Sequence, residues 1–392
     1  MSGAIGAFKR VARDSGLPWA CTLALDRVFG IGVMRLWPER FVTADALRAQ
    51  VGDILESWGM SEEHRSITTG YMLYADLRGI DSHGCAMLPS YHERYAGGRL
   101  VMKPAIEVVL DGATTALLDG GGGLGHVAAD AAMRLAVGKA RRNGLGAVAV
   151  RNSWHYGAAG AYALMAAEHG LIGLATTSTP TPVVVPTRGA RSMLGTNPLA
   201  FAAPATVNRP FLLDMATSTV SRGKLLERWR RGRSIPVGWA TDPRGAPSTN
   251  GRAASAHRRL TPLGADPDRS SHKGYGLAVM VELLSSGLPG LRSSVADGEA
   301  LRSEVGHFFL AIDPAAFGAG TGLPSAVDQL VDALRACPPA DPKQPVLVPG
   351  DPEEATLAER TRGGIPLSRD VFEEIRRVAL ASRVRFRLEG AR

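Results

Sequence analysis

Apolar positions along this chain alternate between two periods, one near 3.6 and one near 2, and the switches between them mark out its elements. From FVTADAL onward Leu47, Val51, Ile54, Leu55 and Trp58 recur at helical spacing behind Thr43, a natural N-cap, and Gly59 ends the run. Ser61 caps a second helix, SEEHRSITTGYMLYADLRG, with Ile67, Tyr71 and Tyr74 as its expected buried face and Gly79 as its stop. Strand-like runs AIEVVL and TTALLDG follow, then the long helical stretch HVAADAAMRLAVGKARRNG. GAVAVRN, GLIGLATTST, LAFAAPA and PFLLDMA read as further strands, with GAAGAYALMAAEHG helical after the first of them. A loop rich in Pro, Gly, Ser and Arg is expected from about residue 240 to 270. HKGYGLAVMVELLSSGL then reads as a helix, VGHFFLAID as a strand, and AVDQLVDALRAC and DVFEEIRRVALASRV as helices separated by a proline-rich linker. No internal repeat is visible. The pattern is that of a mixed α/β protein.

Composition narrows the class. The 392 residues are 45% hydrophobic and 21% charged, ordinary for a globular protein and enough for two domains. No run of roughly 18 uninterrupted apolar residues exists, so no membrane partner is expected. The best candidate, LPWACTLALDRVFGIGVM, is broken by Asp26 and Arg27. Lys9 and Arg10 precede it as in an export signal, but Asp14 and the Asp26–Arg27 pair do not fit one. The three cysteines, Cys21, Cys85 and Cys337, are scattered and make no CxxC pair, which suits a reducing cytoplasm.

The net charge is +8 and the pI about 9.7. Such a chain is suited to anionic cofactors or substrates, or to nucleic acid. The densest basic run, RGKLLERWRRGR at 222–233, reads as a solvated helix face, and no recognisable nucleic-acid module accompanies it. Nucleic-acid binding through that run is the competing class, and no such partner is expected.

Two stretches carry candidate chemistry. RGIDSHG, 78–84, places Asp81, Ser82 and His83 together just past a helix end, on a turn, where catalytic groups tend to be presented. Histidine suits acid–base work because its pKa lies near neutrality; a satisfied turn histidine is the plainer alternative. Residues 120–125, GGGGLG, satisfy the dinucleotide-binding pattern G-x-G-x-x-G between a strand and a helix. Four consecutive glycines match that pattern almost automatically, and the later strands do not settle into βαβ order, so a Rossmann fold is not expected. The nine histidines show no HxH or HxxxH spacing, and no metal site is expected.

Several segments in order resemble the malate/L-lactate dehydrogenase family of NAD(P)-dependent oxidoreductases. They are RGIDSHG (78–84), GLGHVAA (123–129), RNSWHYGAAG (151–160), LGTNPLAF (194–201), LLDMATS (212–218), the 223–242 stretch, HKGYGLAVMVELLSSGL (272–288), GHFFLAID (306–313) and RGGIPL (362–367). The resemblance spans about residues 40–390. It implies a mixed, largely antiparallel sheet flanked by helices, with a helical part built from both ends of the chain and no Rossmann fold. The corresponding boundaries are an extension of unknown role at 1–39, a helical domain at 40–110 plus 315–392, and a cofactor-binding sheet domain at 111–314. It also implies a homodimer and hydride transfer between NAD or NADP and a 2-oxo acid or a related ketone or imine.

In that family the DSHG histidine is the acid–base residue, which carries over to His83, with Ser82 and Asp214 similar to residues that support it. A carboxylate at Asp214 is expected to raise the His83 pKa and orient the ring. His155 and Asn152 in RNSWHYG, with Arg78, are the expected substrate contacts, a structural cap being the alternative for the RNSWHYG segment. His126 is expected at the cofactor or substrate, or else in a helix-start role. Thr196, Asn197, Met215, Ala216, Thr217, Ser218, His272, Lys273, Gly363 and Gly364 are the expected cofactor contacts. The chain departs from the family at Met87. The family pattern DSHGxxRxPxY has an arginine there, a natural clamp for a substrate carboxylate, whereas this sequence reads DSHGCAMLPSY.

Overall fold

In the computed structural model, residues 40–230, 233–291, 304–318 and 322–390 are described. The expected extension at 1–39 lies outside them. Seven strands form one sheet: β2 (Glu107–Asp111), β3 (Thr115–Asp119), β4 (Leu145–Ser153), β5 (Ile172–Thr177), β6 (Leu199–Ala203), β7 (Phe211–Met215) and β8 (Val305–Ile312). A separate ribbon pairs β1 (Arg40–Val42) with β9 (Ile365–Leu367). The order across the large sheet is β2-β3-β4-β8-β5-β6-β7, and all neighbours are antiparallel except β3 and β4. All seven strand-like runs are therefore strands, and the fold is mixed α/β with a largely antiparallel sheet.

Helices α1 (Ala44–Ser57), α2 (Glu62–Leu77) and α3 (Leu88–Ala96) precede the sheet. Thr43 and Ser61 are the N-caps, accepting from Ala46 N–H at 3.2 Å and His64 N–H at 3.4 Å. The long helix α4 (Gly125–Asn143) joins β3 to β4, and α5 (Gly160–Glu168) joins β4 to β5. After β7 come α6 (Arg222–Arg230), α7 (Gly251–His257) and α8 (Ser271–Glu282), which runs on into a π-helical turn, Leu283–Gly287. After β8 come α9 (Gly322–Arg335), α10 (Asp351–Gly363) and α11 (Arg369–Ala381). Helix α7 lies inside the expected loop, and α10 inside the expected proline-rich linker, where Pro352 opens the helix rather than breaking it.

The main core fills the space between the sheet and helices α4 and α5, and is dominated by alanine, which lets helix and strand approach closely. Gly146 and Gly173 show how tight this is: a Cβ there would lie 2.0 Å from the Ala136 carbonyl and 2.3 Å from the Ala163 carbonyl. A second core joins α1, α2 and α3 to α11, through Leu47, Ile54, Met72, Tyr91, Phe372 and Ile375. The helical part is thus built from both ends of the described chain. The buried face of α2 differs from the expectation. Ile67, Tyr71 and Tyr74 are only half-buried, while Thr68, Thr69, Met72, Leu73 and Asp76 are buried. The helix is covered on two sides: Tyr71 packs on Tyr162, with centroids 4.5 Å apart, and its hydroxyl donates to Asp130 at 2.8 Å.

The glycine turn at 120–123 lies between a strand and a helix, as read from the sequence, and opens a single βαβ unit, β3–α4–β4. It does not extend into a doubly wound sheet, because the other neighbour of β4 is the antiparallel β8. The chain itself fills the cradle. A Cβ on Gly121 would lie 2.7 Å from the Ala105 carbonyl, and one on Gly123 would lie 2.5 Å from the Pro104 ring. These glycines admit the 101–105 segment, not a pyrophosphate.

Candidate active site

The RGIDSHG turn is built by the end of α2. Arg78 caps the helix, Gly79 takes φ 77°, and Ile80 N–H returns to the Ala75 carbonyl at 2.9 Å. His83 N–H then closes on the Ile80 carbonyl, also at 2.9 Å. Beneath the turn, buried Asp76 accepts from Cys85 N–H at 2.9 Å. Burial pushes its carboxyl up to about 7. From the other side Arg360 of α10 donates to the Asp76 carbonyl and pairs with Asp81. Asp81 therefore anchors the turn.

His83 is half-buried and its Nδ1 lies 2.8 Å from the exposed Ser82 hydroxyl, while Nε2 has no partner among the described residues. Its ring centroid is 5.4 Å from that of His155. His155 Nδ1 is 2.7 Å from the Tyr91 hydroxyl and 3.4 Å from Gly157 N–H. An amide N–H only donates, so Nδ1 is the acceptor and the His155 proton is assigned to Nε2. Burial lowers the pKa of both histidines, and for His155 the neighbouring imidazoles add to it. The pair is thus neutral near pH 7. His155 offers an N–H, and His83, once Nδ1–H donates to Ser82, offers a lone pair.

His126 lies fully buried in the first turn of α4, where burial pulls its pKa down to about 3. Both ring nitrogens lack partners among the described residues, and Nε2 approaches the position a Gly157 Cβ would take, at 3.1 Å. Tyr91 flanks it edge-on at 6.0 Å. His307, near the start of β8, is the buried support for this segment. It bonds Ser153 at 2.9 Å and Thr177 at 2.7 Å and stacks on Tyr156 with centroids 4.6 Å apart.

The structure brings His83, Ser82, His155 and His126 together, and adds Tyr91. Other expected residues are engaged elsewhere. Asp214, at the end of β7, accepts from Gly160 N–H at 2.7 Å and makes no bond to His83. Burial raises the Asp214 carboxyl to about 6. The expected rise of the His83 pKa is replaced by a fall, because desolvation is not offset by a nearby carboxylate. Arg78 stacks over Tyr74 at 4.0 Å and meets Glu354 at 3.4 Å. Asn152, at φ 49°, donates to Asp119 at 2.7 Å and so braces the glycine turn.

Several cofactor expectations change in the same way. The Thr217 hydroxyl donates to the Thr196 and Asn197 carbonyls, and that of Ser218 donates to the Val220 carbonyl. Neither hydroxyl is spare for a phosphate. Asn197 is buried, and its amide bonds the Ala278 carbonyl and Glu282, tying the start of β6 to α8. Gly363 ends α10, and Gly364 at φ 91° lets β9 pass β1, since a Cβ there would lie 3.0 Å from the Val42 carbonyl. Half-buried Thr196, Met215 and Ala216, and exposed His272 and Lys273 in the first turn of α8, have side chains left for a ligand. The residues present fit a nicotinamide cofactor in two respects. His126 carries orphaned nitrogens in a buried wall, and Met215–Ala216 offer an apolar surface at the strand end.

Sequence reasoning missed Tyr91 as a site residue, although it stands in the stretch DSHGCAMLPSY, and it missed His307 within an apolar strand. Met87 sits in the short 3₁₀ turn Cys85–Met87 and packs on the helical core. Arg94, in the last turn of α3, lies with its guanidinium carbon 3.4 Å above the ring of Trp154, which is next to His155 in sequence.

Comparison with known proteins places the chain in a family. Residues 42–376 match the family described as malate/L-lactate dehydrogenase. The chain is 39% identical over 341 residues to a malate dehydrogenase of Pyrococcus abyssi, covering 86% of this chain and 94% of that one. It is 35% identical over 329 residues to an L-sulfolactate dehydrogenase of Methanocaldococcus jannaschii, covering 83% and 92%. The solved malate dehydrogenase of Pyrococcus horikoshii superposes with a TM-score of 0.80 at 36% identity, over 88% of this chain and 97% of that one. The chain belongs to the malate/L-lactate dehydrogenase family, and it is an oxidoreductase.

Proposed function

We propose that the protein transfers a hydride between NAD or NADP and the hydroxyl-bearing carbon of a 2-hydroxy acid, or a related ketone or imine, with His83 as the acid–base residue. The observation that supports this best is the pair of neutral imidazoles 5.4 Å apart, one free to accept a proton and one to donate a hydrogen bond. In the oxidising direction the substrate hydroxyl gives its proton to His83 Nε2 as the C–H pair leaves as hydride and the C=O bond forms. His155 Nε2–H steadies the substrate oxygen, and Tyr91 holds that ring in its tautomer. The bound cofactor supplies hydride acceptance and donation, and Met215, Ala216, Thr196, His272 and Lys273 are the groups left to hold it. The test is loss of NADH and NADPH absorbance with a panel of 2-oxo acids, 2-oxo amides and cyclic imines. Cofactor binding with no turnover on any of them would reduce the protein to a silent homologue.

Specificity turns on Met87. Relatives named for malate and sulfolactate act on acids with a second anionic group. Here the position of the family's arginine carries a thioether packed on the helical core, and the imidazoles of the site are neutral. The reading is therefore a substrate that lacks the carboxylate an arginine at this position would clamp. Met87→Arg is expected to raise kcat/KM for oxaloacetate about tenfold or more, the value of a charge-assisted hydrogen bond. If it leaves kcat and KM unchanged for every substrate, the argument from the missing clamp fails.

A homodimer and a cytoplasmic location belong to the same reading. Met280 in α8, Leu283 in its π extension and Leu288 just past it are exposed, apolar surface of the kind a second copy covers. Light scattering that reports only single chains would remove the dimer. Among the described residues no helix is long and apolar enough to cross a membrane.

A further inference from the structure

The 214–218 segment is tied to a second cleft. Leu263 N–H donates to the Thr217 carbonyl at 2.9 Å, Ser218 bridges to Pro262, and the Thr219 hydroxyl donates to the Pro262 carbonyl at 2.7 Å. Thr261 and Pro262 in turn line a cavity of about 230 Å3. That is below the roughly 300–1,000 Å3 of a complete ligand pocket, so it suits one end of a larger molecule.

The cavity is basic. Arg188 and Arg244 line it, both exposed, and among the described residues neither guanidinium has a hydrogen-bond or ion-pair partner. Arg188 is held at φ 64°, a conformation glycine adopts without strain and other residues rarely do. A strained residue whose charged end stays unpaired points to a use for that end. The carboxylates nearby are already engaged. Asp266 caps the short 267–269 helix and lies 3.7 Å from Arg269, and Asp242 accepts from Arg244 N–H and Ala246 N–H at 2.8 and 2.9 Å. The buried Thr241 hydroxyl in this lining has no partner among the described residues, and the Thr187 and Ser271 hydroxyls sit 3.0 Å apart.

We propose that this cavity takes the 2′-phosphorylated ribose of the cofactor, so that the protein uses NADP in preference to NAD. The proposal rests on the nicotinamide-dependent reading above. A site for an unphosphorylated ribose offers a free carboxylate to the 2′-hydroxyl, whereas a 2′-phosphate calls for arginine and hydroxyl donors. Here the acids are occupied and the arginines are free.

Binding of NADPH and NADH to the full chain, measured by nucleotide fluorescence and calorimetry without substrate, tests this. NADPH is expected to bind about tenfold tighter or more. Adenosine 2′,5′-bisphosphate is expected to displace it where AMP does not. The double variant Arg188→Ala/Arg244→Ala should bring the two affinities together by weakening NADPH alone. Arg188→Gly, which relieves the backbone while removing the guanidinium, should shift the ratio the same way in a protein at least as stable. Equal affinities in the wild type, or a ratio that the double variant leaves unchanged, would overturn the cavity assignment and leave the dehydrogenase reading standing. Absence of binding by either cofactor would overturn that reading, and the assignment with it.

Discussion

His83→Ala lowers kcat by roughly 10²–10⁴-fold, the range contributed by a positioned acid–base group, while cofactor affinity and thermal midpoint stay near wild type. The fold is spared because the ring is half-buried and its hydrogen bond goes to the exposed Ser82 hydroxyl. Wild type and variant also differ in pH response. Burial places the His83 pKa below its usual 6.5, so the neutral base predominates at pH 7. For 2-hydroxy acid oxidation, kcat/KM should be level through neutrality and fall only as pH drops through that lowered value. The residual rate of His83→Ala should lack this acid limb. Ser82→Ala tests the partner: losing the Nδ1 bond frees the tautomer, with an expected loss of about tenfold for a hydrogen bond of about 1.4 kcal/mol. Full activity in His83→Ala would end the acid–base assignment.

Long elements were legible in the sequence and short or polar ones were not, for physical reasons. The inner strands of the large sheet carry apolar runs because helices and neighbouring strands bury them, the edge strand β2 was read from its apolar run although its side chains are exposed, and α4 and α5 announce themselves by alanine-rich periodicity. β1 and β9 have three residues each and exist only because chain segments more than 300 residues apart pair with each other. No local pattern encodes that. Helix α10 buries no residue fully, so DPEEATLAERTRG has no apolar stripe to find. Ion pairs hold it instead: Asp351 with Arg335, Glu354 with Arg78 and Arg209, and Arg360 with Asp81. The site divides in the same way. Adjacent Ser82 and His83 could be read directly, and the ordered family segments pointed to His155 and His126. The partner of Asp214 could not be read, because the packing of α5 on β7 decides that its carboxylate meets Gly160 N–H rather than an imidazole. Tyr91 and His307 sit in apolar surroundings that resemble ordinary core, and only the fold shows one of them gripping His155 and the other stacked beneath Tyr156.

Gly84→Ala should be strongly damaging to both stability and turnover. A Cβ at that position would lie 2.0 Å from Asp76 Oδ1 and 2.5 Å from Oδ2. The carboxylate has little room to yield, since it is buried and bonded to Cys85 N–H, and its own carbonyl is held by Arg360. Either Asp76 swings away and leaves the Cys85 amide unsatisfied, or the turn lifts and carries His83 with it. Overpacking costs about 1–3 kcal/mol, and a buried donor left without a partner costs a similar amount. Together they give about 2–5 kcal/mol, read as a lower urea midpoint with turnover largely lost. Gly138→Ala is the matched control. It lies inside α4 with nothing within 4 Å of its added Cβ, so the methyl meets no obstacle and the helix gains about 0.5–1 kcal/mol. The two substitutions add the same methyl with opposite expected signs. A Gly84→Ala protein with wild-type midpoint and turnover would mean that Asp76 does not support the catalytic turn in the way these contacts require.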